Sequence, residues 1–375
     1  MKHVRRALTV GLAAVLLAGA AGPALAAPPG LAEVQRNLDL LTTVDGVPGA
    51  LAHVRDRGGR ERTLTSGTAE TGTGRPMTGA ADTFRIASVT KPFIAVTLLQ
   101  SRVDLDAPVE RYLPGVVRGR GAGAEIDGRR ITVRQVLQHT SGIPEYNRSF
   151  DWSKPFPEEP TGYLDVALVR TPTGKPGERW AYSNTNYLIA GMIVNRLAGK
   201  DFREVTEERI LRPLGMTGTY WPTKKEYGLR GRHAHHYGVH PANPAAGVVD
   251  VTSFPGYEFG ASGGLVSTPA DLDVFWRGLY SGKLLPPHVV RSMTADLRPA
   301  AGQNFSYGIG IGSIKLSCGG SVFAHSGDVP GVTAYSGRDR SGRTVTVFIT
   351  TNSNTPERDK HLADAFDAAF CARRL

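Results

Sequence analysis

The order of strand-like and helix-like runs along the chain constrains its fold more than any other feature. Two short strand-like runs, Gly49 to Val54 and Arg62 to Ser66, bracket a polar turn at Arg55 to Arg60. Four more, Tyr307–Lys315, Ser321–His325, Val332–Arg338 and Thr344–Thr350, crowd the other end, with a hairpin turn at Arg338 to Gly342. Between them lie helical patterns at Val89–Gln100, Val133–Gln138, Asn186–Leu197, Phe202–Ile210 and Pro269–Leu279. Residues 27–42 and Pro356–Ala372 read as helices near the two ends. A lone hairpin is marginal in water, so the early strands have to join the late ones. The expected fold is α/β in the broad sense (α+β). An antiparallel sheet of about five strands is built from both chain ends, flanked by helices, with an inserted, mainly helical domain. The expected boundaries are 27–110 plus 286–375 for the sheet domain and 111–285 for the insertion, with the active site between them.

The first 26 residues stand apart. Lys2, Arg5 and Arg6 precede a short apolar run, Ala7 to Ala21, and Ala24-Leu25-Ala26 is a small-x-small cleavage site. This is the pattern of a signal peptide, and the run is too short to span a bilayer well. The expectation is a secreted protein, extracellular or wall-associated, with no membrane anchor; Sec and Tat export both stay open. Without those three basic residues the net charge of +10 falls to +7. The remaining arginines are scattered, with no basic helix and no aromatic interleaving, so nucleic acid is not expected as a partner. With 41% hydrophobic and 21% charged residues, the composition excludes wholesale disorder. The two cysteines, Cys318 and Cys371, form an even count, which in an oxidising compartment favours a disulfide.

Three short stretches carry chemistry. The first is Ser88-Val89-Thr90-Lys91, an S-x-x-K at a helix start. Three residues is nearly one turn, so the hydroxyl and the amine share a face, and the amine can take the hydroxyl's proton. The second is Tyr182-Ser183-Asn184 ahead of a helix; residues two apart in extended backbone face the same way. Lys91 is expected to lower the Tyr182 pKa enough for proton exchange. The third is His325-Ser326-Gly327 at a strand end, with the glycine read as room for a substrate backbone. Two other patterns are set aside. Gly260-Ala261-Ser262-Gly263-Gly264 fits G-x-S-x-G, but no helix follows directly. His233, His235, His236 and His240 crowd one loop, where spacing in irregular backbone suits a metal poorly, so no metal is expected.

Taken together and in this order, the three stretches resemble those of the penicillin-binding serine hydrolases: D-alanyl-D-alanine carboxypeptidases, class C-type β-lactamases and related esterases. Leu137-Gln138-His139-Thr140-Ser141-Gly142-Ile143, Ala261–Leu265 and Leu316-Ser317-Cys318-Gly319 add to the likeness, which covers nearly the whole chain after the leader. The last is similar to secreted actinobacterial D-alanyl-D-alanine carboxypeptidases, whose disulfide Cys318 and Cys371 resemble. The resemblance implies a monomeric serine hydrolase without cofactors. Ser88 would be the nucleophile, Lys91 and Tyr182 proton relays with the base left open, and Asn184 a holder of the substrate amide. His325 would stand for a third-motif lysine, beside Ser326 and Gly327. The Ser88 and Asp328 backbone N–H groups would form the oxyanion hole. Substrates would be peptidoglycan stem peptides or other D-amino-acid peptides and esters, with β-lactams as covalent inhibitors. A D-alanyl-D-alanine carboxypeptidase is the leading expectation, an esterase or D-aminopeptidase of the same fold the alternative, and a non-catalytic wall protein the third.

This chain departs from the resemblance in its substrate clamp. Carboxypeptidase-type relatives have an arginine that holds the substrate carboxylate. Gly312 occupies the best-matching position, with Lys315 the nearby cation. Asp328 stands where those relatives have a small hydroxyl residue. A carboxylate facing the cleft there would repel a substrate carboxylate.

Overall fold

The computed structural model describes residues 29–375 except 148–150, 152–153, 155, 158–159, 301–303, 353 and 374. The expected signal segment, 1–26, lies outside the described residues. The main sheet consists of β1 (Gly49–Arg55), β2 (Glu61–Gly67), β3 (Arg298–Pro299), β4 (Phe305–Tyr307), β5 (Gly312–Lys315), β6 (Ser321–Val329), β7 (Val332–Asp339) and β8 (Thr344–Ile349). Its order is β2-β1-β8-β7-β6-β5-β4-β3, antiparallel throughout. The two chain ends meet where β1 pairs with β8, Ala50 opposite Ile349 and Arg55 opposite Thr344.

The sheet has eight strands where about five were expected. The surplus comes from the short edge strands and from the 307–315 run, which folds as a hairpin instead of one strand. Tyr307 of β4 pairs with Gly312 of β5. The turn between them needs glycine. Gly310 has φ +72°, and a Cβ there would sit 2.4 Å from the Ala95 Cβ. A Cβ on Gly308 would sit 2.0 Å from the Met293 carbonyl oxygen. Such close approach is open only to a residue without a side chain.

Helices cover both faces. On one lie α1 (Ala32–Thr43) and α5 (Pro356–Cys371). Val34, Leu38 and Leu41 of α1 fall at helical spacing and are fully buried against Ala50, Ala52 and Val54 of β1. Truncating Leu38 to alanine there costs about 2–5 kcal/mol. Leu51, between those β1 residues, points to the other face and joins the larger core. That core holds α2 (Thr90–Gln100), α3 (Asn184–Ala198) and α4 (Pro269–Tyr280). Every residue of α2 from Thr90 to Leu98 is buried, which makes it the central helix of the molecule. Its Phe93 stacks on Phe275 of α4 at 3.8 Å. The start of α4 is set by Thr268, whose Oγ1 accepts the Asp271 N–H, followed by Pro269 in the first turn. Cys318, in the β5–β6 turn, is joined by a disulfide to Cys371 at the end of α5.

Candidate active site

Ser88 sits where the two-residue strand Phe84–Arg85 gives way to α2. Ala87, just before it, has φ +49°, a left-handed conformation uncommon for alanine. Strain of this kind costs on the order of 1–3 kcal/mol and concentrates at functional positions. It turns the chain sharply enough to present Ser88 in a cleft at the head of α2. Lys91 lies one turn on, fully buried. Its Nζ donates to Ser88 Oγ at 2.8 Å, to Asn184 Oδ1 at 2.7 Å and to the Ser262 carbonyl at 2.7 Å. Tyr182 OH donates to the same Ser88 Oγ at 2.7 Å. The first two sequence motifs therefore converge on one oxygen.

Electrostatics assign different work to these two groups. Burial pulls the Lys91 pKa from 10.5 down to about 7, against the opposing charge of Glu145. In its neutral form the amine has two hydrogens and one lone pair. Asn184 Oδ1 and the Ser262 carbonyl can only accept, so they take the hydrogens and leave the lone pair facing the Ser88 hydroxyl. Tyr182 behaves contrary to expectation. Burial, its dominant influence, pushes the phenol well above its ordinary pKa, and Lys91 does not reverse this. Tyr182 is a hydrogen-bond donor to Ser88, while Lys91 is the group with basicity near neutrality.

The third motif lies on β6. His325 is buried, and burial followed by the charge of Lys91 lowers its pKa to about 3. Its Nδ1 is 2.5 Å from the Ser326 carbonyl and its Nε2 2.8 Å from Tyr307 OH. A carbonyl cannot donate, so Nδ1 carries the hydrogen and Nε2 accepts from Tyr307. His325 is thus a neutral wall of the cleft and supplies no cation where the resemblance implied a lysine. Gly327 also differs from expectation. A Cβ there would sit 2.3 Å from the Ile86 carbonyl oxygen and 3.0 Å from the Ala87 Cβ. The backbone that approaches it is the chain's own Ser88 turn. Strand β5 accompanies β6 only from Ser321 to Ala324, so β6 presents an edge from His325 onward.

That edge borders a cavity of about 530 Å³ lined by Ser88, Tyr182, Asn184, His325, Ser326 and Asp328, with Trp180, Phe305, Tyr307 and Tyr335 among its other walls. Asp328 bears the only carboxyl, ammonium or guanidinium group in the described lining. Its carboxylate accepts Thr333 Oγ1 at 2.6 Å and Asn352 Nδ2 at 3.2 Å. An arginine at Gly312 would have to displace the Phe305 ring, which a Cβ there would meet at 2.2 Å. Lys315 is exposed and outside the lining.

Sequence reasoning missed Glu145. Half-buried, it accepts the Asn184 N–H at 2.7 Å through Oε2 and the Asn147 N–H at 2.8 Å through Oε1. Nothing local marks it between Pro144 and Tyr146; only the fold brings it beside Asn184. Ser262 contributes its carbonyl, while its hydroxyl donates to Phe259 O at 2.7 Å, so the 260–264 stretch is a lysine support and no nucleophile elbow. Among the described residues no three His, Cys, Asp or Glu side chains converge as metal ligands. His235 pairs with Asp250 at 2.6 Å, and His236 is buried. Among them, too, no helix is long and apolar enough to cross a membrane.

Over 92% of this chain and 99% of its own, a D-stereospecific amidohydrolase from a Streptomyces species superposes with a TM-score of 0.79 at 33% identity. Penicillin-binding protein 4* of Bacillus subtilis is 25% identical over 296 residues, which is 75% of this chain and 63% of that protein. The Escherichia coli D-alanyl-D-alanine-carboxypeptidase/endopeptidase AmpH is 30% identical over 203 residues, half of this chain and 46% of that protein. The chain thus spans less than two thirds of these two curated relatives. The profile of the Beta-lactamase family matches residues 34–371, nearly the whole described chain, and this protein belongs to that family of serine hydrolases.

Proposed function

We propose that this chain is a serine amidohydrolase that cleaves D-aminoacyl amides through an acyl-enzyme. Neutral Lys91 takes the Ser88 proton as Oγ bonds to the substrate carbonyl carbon. The C–N bond then breaks, and the amine leaves with that proton, returned by Lys91 with Tyr182 as donor on the path. Water attacks the ester, its proton passing to Lys91 and on to Ser88 Oγ as the C–O bond breaks, which frees the D-amino acid and restores Ser88 and neutral Lys91. The N–H groups of Ser88 and Asp328 hold the developing oxyanion, a contribution of about 10²–10³ in rate per donor. Asn184 faces the substrate amide, and His325 with Ser326 flanks the β6 edge. The reading has the chain exported, as its leader and cysteine pair suggest.

The observation that carries this choice is the described lining: no cation to clamp a carboxylate, the Phe305 ring against Gly312, and the carboxylate of Asp328. An amide leaving group carries no charge for that carboxylate to repel. The D-stereochemistry leans on the amidohydrolase likeness. The second reading, a D-alanyl-D-alanine carboxypeptidase, is favoured by the AmpH likeness and by the Leu316–Gly319 stretch. A panel of D-alanine amide, acyl-D-alanyl-D-alanine, nitrocefin and a p-nitrophenyl ester decides between them. D-Alanine amide should exceed acyl-D-alanyl-D-alanine in kcat/KM by at least about tenfold, or 1.4 kcal/mol. The reverse ranking would establish the carboxypeptidase.

A further inference from the structure

We propose that His139 is a positioning residue that holds the Tyr182 hydroxyl on Ser88 by gripping the chain on both sides of that tyrosine. The Ala181 N–H donates to the His139 carbonyl at 2.8 Å, and the Ser183 N–H donates to His139 Nδ1 at 3.2 Å. Alternate N–H groups of extended backbone point the same way, so one residue can bind both neighbours of Tyr182. The His139 ring lies 4.4 Å from the Tyr182 ring, centroid to centroid. Two hydrogen bonds and a ring contact thus fix the Tyr182 backbone and the lie of its ring, and with them the 2.7 Å bond to Ser88.

Three features show that His139 is built for this. It has φ +60°, uncommon for a residue with a side chain, and this turns carbonyl and ring toward residues 181–183. Its acceptor state is enforced. Asn186 Oδ1 is occupied by the Ser141 hydroxyl at 2.6 Å, so the amide turns Nδ2 toward His139 Nδ1 at 3.2 Å. With two donors aimed at Nδ1, the hydrogen must reside on Nε2, which is buried without a hydrogen-bond partner among the described residues. A buried polar atom left unpaired needs a compensating reason, and the grip on Tyr182 supplies one. Burial, and then the charge of Lys91, keeps the His139 pKa well below the ordinary value.

The proposal rests on Ser88 being the nucleophile, so the first control is Ser88→Ala; turnover surviving there would locate the failure in that assignment. The test proper is a double-mutant cycle on the full chain, read as single-turnover acylation by the p-nitrophenyl ester of D-alanine. His139→Ala should slow acylation by about 10- to 100-fold, as expected for a misplaced reacting group, with KM changed by less than about threefold. In a Tyr182→Phe background the same substitution should cost less than about threefold, because the hydroxyl it positions is gone. His139→Asn, which tolerates the left-handed conformation and retains an acceptor, should recover much of the rate and serves for the cycle if the alanine variant does not fold. Equal fold losses with and without the Tyr182 hydroxyl would overturn the proposal.

Discussion

The basicity of Lys91 sets how the reaction should respond to pH. An ordinary lysine is neutral in roughly one molecule in 3,000 at pH 7, whereas a pKa of about 7 leaves about half of Lys91 able to accept the Ser88 proton. The difference, from 10.5 to about 7, corresponds to about 5 kcal/mol of discrimination against the buried ammonium. In the proposed mechanism the neutral form is the active one, so acylation should rise with pH and level off above the pKa. Single-turnover acylation between pH 5.5 and 9 should climb about tenfold per pH unit at the acid end and bend near pH 7. Glu145 raises the Lys91 pKa, so Glu145→Gln should move the bend to lower pH. His325 titrates near 3 and stays neutral over the whole range, so His325→Gln should leave the bend in place. A profile flat from pH 5.5 to 9, or a bend moved upward by Glu145→Gln, would refute the assignment of Lys91 as base.

Lys91→Met should abolish acylation and change stability in a pH-dependent way. The native state binds fewer protons than the unfolded one between pH 7 and 10.5, so the wild type loses stability as pH falls through that window. The methionine variant lacks this penalty, and urea melts should favour it more at pH 6 than at pH 9; an equal difference at both would contradict a depressed pKa. Gly327→Ala should cut acylation about a hundredfold or more and lower the melting temperature, because its Cβ meets the Ile86 backbone, which has no rotamer to escape into. Gly312→Arg alone should yield no carboxypeptidase, since the Phe305 ring fills the space; pairing it with Phe305→Ala and Asp328→Thr should raise kcat/KM on acyl-D-alanyl-D-alanine relative to D-alanine amide. Alkylation under denaturing conditions should label neither Cys318 nor Cys371 until a reductant is added, and reduction should cost about 4 kcal/mol for a loop closed over 53 residues.

The parts of the site legible in the sequence are those whose chemistry is local. Ser88 and Lys91 are linked by helical spacing alone, and Tyr182 with Asn184 by extended spacing at a helix start. The architecture was legible for the same reason: the strand-like runs at both ends leave few ways to bury their apolar faces. What lay hidden depends on tertiary approach. The edge strands Arg298–Pro299 and Phe305–Tyr307 are too short to carry a period. The 307–315 run conceals a turn whose cause, Ala95 against Gly310, lies on a distant helix. Glu145 has no motif, and its influence on Lys91 exists only after folding. The Tyr182 pKa runs against the sequence expectation because a nearby cation is outweighed by the burial around the phenol. The meaning of Gly327 likewise turned on what stands above it.

The seam between β1 and β8 also has a temporal side. Thr350 Oγ1 donates to the Gly49 carbonyl across 301 residues of sequence, and the whole first hairpin reaches the rest of the sheet only through that seam. During synthesis the β1–β2 hairpin emerges long before β8 and waits for most of the intervening chain before it gains that partner. Contacts so far apart in sequence fold slowly, because loop closure has to be met before pairing rewards it. The nucleophile turn at residues 86–88, propped by Gly327 near the other end, would be among the last features to set. Truncation of the last two strands should therefore leave a chain without a formed Ser88 turn, however complete its helical middle.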